Sequence, residues 1–122
     1  MKTLLAAAIA LIVLTPAAAS ATTPACDVSV QFGSYAMGID GRAFDKVQRY
    51  VARHPRLIRT SSVTNWGREG EKTVCLTTFK GRKGVNIAFR DIKSLVGKGQ
   101  RGPVEVRTLD GRVWNSHPGM PR

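Results

Sequence analysis

The densest chemistry in this 122-residue chain lies between Lys80 and Arg101. That segment holds seven cations (Lys80, Arg82, Lys83, Arg90, Lys93, Lys98 and Arg101) against one acid, Asp91, a net +6 in 22 residues. Its glycines permit close backbone approach and let successive N–H groups turn toward an anion. Cations at this density suit phosphate-bearing polymers, anionic lipid headgroups, an acidic protein partner or nucleic acid. Lys80, Arg82, Lys83, Lys93, Lys98 and Arg101 are the expected binding residues. The plainer reading of the same charges is a solvated basic face that keeps a small protein in solution.

Acid–base catalysis needs a base, an acid and, for a phosphodiester, a cation. Glu69 or Glu71 would be the base, His54 or His117 the acid and Arg68 the phosphate clamp, the format of a small secreted nuclease. His54 falls at an expected helix end, where a cation is favourable in any case. Arg68 and Glu69 are ordinary turn residues. No nuclease motif is present, so no catalytic residue is assigned. The acids are scattered and no histidine pair has ligand spacing, so neither metal nor cofactor is expected. As a third alternative, the turn from Trp66 to Gly70 would insert into an acidic cleft, as the loop of an inhibitor of a cell-wall lytic enzyme. Trp66 and Trp114 each end an expected strand, where such residues usually finish a core.

The N-terminus reads Met1-Lys2-Thr3, then an apolar run from Leu4 to Leu14, then Thr15-Pro16-Ala17-Ala18-Ala19-Ser20-Ala21. A positive head, a short apolar stretch and a small-x-small end are the parts of a secretory signal peptide. Eleven helical residues span about 16 Å, roughly half a bilayer core, so a membrane anchor is physically poor. Cleavage is expected after Ala21, leaving a single domain, residues 22–122, with no transmembrane segment and a periplasmic or secreted location. Lipidation at Cys26 is disfavoured by Thr23-Pro24-Ala25 in front of it. The chain has two cysteines, Cys26 and Cys75, and an oxidising compartment favours their pairing in one structural bridge.

Outside the first 21 positions, 36 of 101 residues are apolar, so the core must be thin and the bridge important. A repeat array, a multidomain enzyme and a membrane-spanning protein are excluded on length and composition. Val28-Ser29-Val30-Gln31-Phe32 alternates as a half-buried strand. Asp40 is the expected N-cap of a helix from Gly41 to Arg53, with Phe44, Val47, Tyr50 and Val51 on its apolar stripe. Pro55 stops it. Leu57 to Trp66 and Glu71 to Phe79 read as a hairpin around Gly67-Arg68-Glu69-Gly70. Gly81-Arg82-Lys83-Gly84 reads as a basic loop. Val85, Ile87 and Phe89 alternate as a short strand, although Phe89, Ile92, Leu95 and Val96 also suit a short helix. Val104 to Leu109 and Arg112 to Trp114 flank Asp110-Gly111, a strong hairpin signal, and the tail from about residue 115 should be loose. The expectation is an α+β domain: one main amphipathic helix on a small, mostly antiparallel sheet.

Residues 28–70 resemble the opening strand–helix–strand of OmpA-like domains, which hold peptidoglycan in the bacterial envelope. The matching residues are Phe32 and Ser34, Gly41, Phe44-Asp45-Lys46-Val47, Pro55, and Thr64-Asn65 before Gly70. The resemblance implies that topology and an envelope location. It carries over no binding residue. The family's aspartate after the threonine is Asn65 here, and an amide cannot supply the anionic half of a charge-assisted bond.

Overall fold

A computed structural model of the protein describes residues 25–97 and 101–117. The expected signal segment and Lys98 lie outside the described residues. The elements run β1 (Val28–Phe32), α1 (Gly41–Arg53), β2 (Ile58–Trp66), β3 (Glu71–Thr78), α2 (Gly81–Val96), β4 (Val104–Thr108) and β5 (Val113–Asn115). The five strands form one sheet in the order β2-β3-β1-β4-β5, every neighbouring pair antiparallel. β1 and β2 are therefore parallel with β3 between them, and β3 and β4 are parallel with β1 between them. Each of those pairs is joined through a helix. Two interleaved split βαβ units of this kind make the ferredoxin-like arrangement, here extended by β5. So general a fold leaves function to be argued from its sites.

Strand periodicity decides which way the sheet faces. Val28, Val30 and Phe32 of β1, Val74 and Leu76 of β3, and Val104 and Val106 of β4 are fully buried. They share one core with Ala43, Val47 and Tyr50 of α1 and Ala88, Phe89, Ile92 and Val96 of α2. Both helices thus cover one face of the sheet, and among the described residues the opposite face is open. Phe32 stands edge-on to Phe44 of α1, centroids 5.5 Å apart, so the central strand and α1 lock by aromatic packing.

The expected first helix and its cap are present. The buried Asp40 carboxylate accepts from the Ala43 backbone N–H at 3.1 Å and, through its other oxygen, from the Arg101 N–H at 3.0 Å. One side chain therefore caps α1 and ties down the segment leading into β4. Cys26 and Cys75 form the expected disulfide, with Cα atoms 5.2 Å apart. Cys75 lies between the buried Val74 and Leu76, so its side chain emerges on the open face.

Among the described residues there are two helices where the sequence suggests one main helix. Gly81–Val96 is a single 16-residue helix, replacing the expected basic loop and short strand. Its apolar side is built from Val85, Ala88, Phe89, Ile92, Leu95 and Val96, a three-and-four spacing that spans the whole segment. The glycine responsible for the loop reading has another cause. A Cβ on Gly84 would lie 2.1 Å from the Phe79 carbonyl oxygen, so Gly84 lets α2 pack against the end of β3. The turn into α2 is made by Lys80 in the left-handed region, φ 68°. The chain also stays ordered beyond β5: the Ser116 N–H donates to the Val104 carbonyl, and the Val104 N–H to the Ser116 hydroxyl, both at 2.9 Å. Residues 115–117 are therefore tied to β4, and the remainder of the expected loose tail, residues 118–122, lies outside the described residues.

Candidate functional site: a cationic helix face

The helices redistribute the cations. On α2, Arg82, Lys83, Arg90 and Lys93 fall within an arc of roughly 100° at the helical angle per residue, away from the core side. Lys80 precedes the helix at its N-terminal end. Arg101 is separated from that end by the full helix, about 24 Å, and sits beside the start of α1 with Arg42 and Asp45. The expected patch is thus a stripe along α2 rather than a compact cluster.

The second half of this surface is the polar face of α1, which the sequence shows as a helix face but not as part of the expected binding site. Arg42, Lys46, Arg49 and Arg53 recur at i, i+4, i+7 and i+11 on α1, flanking its buried Ala43, Val47 and Tyr50. Such spacing stacks them on one line of the helix. Between the helices runs a groove of about 610 Å³ lined by Lys46, Arg49, Tyr50, Arg53, His54 and Ser94. Helical periodicity was the signal available, since the four residues are dispersed along the chain and only folding aligns them.

Few of these charges are neutralised. Among the described residues the ion pairs are Arg90–Asp91 at 3.3 Å, Arg107–Glu105 at 2.8 Å and Arg112–Asp110 at 3.2 Å. Of the helix cations, Arg90 is the one that takes part in these pairs. Lys93 and Arg112 both stand over the Phe89 ring, 4.4 and 5.2 Å from its centroid, which positions their charges beside α2. Arg82 and Lys83 occupy the first turn of α2, which contains no acidic residue, and Lys80 provides no side-chain cap. A cation at a helix N-terminus opposes the helix dipole, at roughly 0.3–1 kcal/mol each.

Tyr50 joins the helices. Its hydroxyl donates to the Asp91 carboxylate at 2.6 Å, while its ring lies 4.1 Å from that of His54. Burial, the hydrogen bond to Asp91 and that carboxylate's negative charge hold the phenol well above its ordinary pKa, against a smaller opposing effect of Arg90. The folded protein therefore keeps a proton that the unfolded chain loses near pH 10. This contribution to stability is complete below about pH 10 and falls as pH rises further. Urea unfolding at about pH 8 and pH 11 should show a smaller alkaline loss in Tyr50→Phe than in the wild type.

The residues considered for acid–base catalysis are not assembled. His54 binds the Tyr50 carbonyl through Nδ1 at 2.7 Å and adjoins Ile58, which pairs with Thr78 at one end of β3. Glu71 lies at the other end of that strand, some 23 Å away along it. There its buried carboxylate accepts from the Glu69 N–H at 2.8 Å, which stiffens the β2–β3 turn. Arg68 lies in that turn, while His117 lies beyond β5. Among the described residues no group of three or more His, Cys, Asp or Glu could hold a metal ion. No helix among them is long and apolar enough to cross a membrane. Trp114 packs against the core, whereas Trp66 is 40% exposed on the open sheet face. Compared with known proteins, the chain matches no family model, no curated sequence and no solved structure.

Proposed function

We propose that this protein is an exported, non-catalytic binding domain that holds an anionic, phosphate-bearing component of the cell envelope against its two helices. The carrying observation is the set of helix cations with no ion pair among the described residues: Arg42, Lys46, Arg49 and Arg53 on α1, and Arg82, Lys83 and Lys93 on α2. Lys80 extends that surface at one end and Arg101 at the other. Three supports point to export: the signal-like N-terminus, the disulfide and the OmpA-like resemblance of residues 28–70. Placing Arg82 and Lys83 against the helix dipole is a local cost that an anionic ligand would offset.

Binding by such a surface is electrostatic and therefore screened by salt. The protein should co-sediment with vesicles containing anionic lipid and bind soluble polyphosphate at low ionic strength, the two arms separating headgroup from free polymer. At about 1 kcal/mol per surface cation, Arg82→Gln with Lys93→Gln should weaken binding about thirtyfold. Affinity that is unchanged between low salt and several hundred millimolar would overturn this reading.

A further inference from the structure

The open side of the sheet carries a different kind of surface. Strand register sets Thr64, Thr73, Gln31, Glu105 and Asn115 in one row across all five strands. An open cleft of about 360 Å³ beside that row is lined by Gln31, Tyr35, Trp66, Glu105, Asn115 and His117, among others. That volume is at the lower end of ligand sites, roughly 300–1,000 Å³. From Thr73, which lies under Trp66, to Asn115 the row crosses three strand spacings, about 14 Å.

The walls are aromatic and pre-positioned. The Trp66 indole N–H donates to the Thr73 hydroxyl at 3.0 Å, which fixes the ring beside the sheet. Tyr35, 46% exposed, meets His117 edge-on with centroids 5.6 Å apart. The loop bearing Tyr35 is strained: Ala36 has φ 90°, a region that costs a non-glycine residue energy and recurs at ligand sites. It is held there by the Ser34 hydroxyl, which accepts from the Ala36 and Gly38 N–H groups, both at 3.0 Å. The floor is amide. The Gln31 side chain makes no hydrogen bond among the described residues, and Asn115 uses its Oδ1 to accept from the His117 N–H, leaving its NH₂ to donate.

We propose that this cleft binds an uncharged oligosaccharide. A sugar ring offers an apolar C–H face to an aromatic side chain and hydroxyl groups to planar amides, the two chemistries brought together here. Charge balance disfavours an anion, since Arg107 lies against Glu105 at 2.8 Å. The same pairing disfavours nucleic acid, whose phosphates would meet a carboxylate while the unpaired cations lie on the opposite side. An extended peptide would need free strand edges, but Gln31 and Glu105 lie on inner strands already paired on both sides. This inference does not rest on the cationic helix face.

Titration of ¹⁵N-labelled protein with tetramers of glucose and of N-acetylglucosamine tests it. Saturating shifts are expected at the Trp66 indole and the Gln31 and Asn115 side-chain amides, with α2 unmoved and no weakening by salt. Trp66→Ala should weaken binding about tenfold or more, and Gln31→Ala should weaken it with the fold intact. No saturable shift with either tetramer up to ~10 mM, weaker than any functional affinity, would overturn the proposal. So would cleft shifts produced only by a single-stranded RNA oligomer and abolished by salt.

Discussion

Removing the Cys26–Cys75 bridge should lower the free energy of unfolding by about 4 kcal/mol, because the bridge closes a 49-residue loop in the unfolded chain. For a domain of this size that corresponds to a fall in Tm of roughly 15–30 °C. It also removes a large share of a total stability of about 5–15 kcal/mol. The loop it closes contains β1, α1, β2 and half of β3. The bridge joins a residue just before β1 to the centre of β3, its neighbour in the sheet. The native Cα separation of 5.2 Å lies within the ordinary range for bridged cysteines, about 4.4–6.8 Å. Native geometry therefore accommodates the bond, and its loss acts mainly on the unfolded ensemble. The double variant Cys26→Ser with Cys75→Ser, unfolded in urea beside the wild type, measures the effect. A change below about 1 kcal/mol would mean that the unfolded chain is already compact around this loop.

Phe32→Ala should cost about 3–5 kcal/mol. Phe32 is fully buried, ends the central strand and packs edge-on against Phe44. Truncation would leave a cavity between β1 and α1 that Lys72 and Val104, its partners in the ladder, have no reason to collapse into. Phe32→Leu should cost about 1 kcal/mol, since it keeps most of the volume. Equal losses for the two variants would show that the site tolerates shape poorly rather than lacking volume. Both are read from urea midpoints with the slope checked for constancy.

Much of this architecture is legible residue by residue. The alternation in Val28–Phe32, the Asp40 cap, the stop at Pro55 and the Asp110-Gly111 turn each act locally, and each appears in the fold. The second helix is illegible for a physical reason. Gly84 looks like a loop residue, but its lack of a side chain answers the Phe79 carbonyl, a tertiary demand no local pattern reveals. Misreading that segment also hid the interleaved topology, because α2 is the connection that makes β3 and β4 parallel. The cations from Lys80 to Arg101 stood out as a run, whereas those of α1 had to be aligned by a helix to form a surface. The open-face cleft draws Gln31, Tyr35, Trp66, Glu105 and Asn115 from β1, β2, β4, β5 and a loop. Trp66, expected to finish the core, points outward because its register opposite Glu71 puts it on the face away from the buried Val74 and the helices.

Placing both helices on one side leaves the molecule with two chemically unlike exteriors set back to back. One is rich in positive charge; the other is hydroxyl- and amide-bearing, with Arg107 paired to Glu105. Two molecules bound on these opposite exteriors would neither collide nor compete, and salt would release the one on the helix face alone. A domain so engaged would act as a spacer, holding two different neighbours apart by its own thickness.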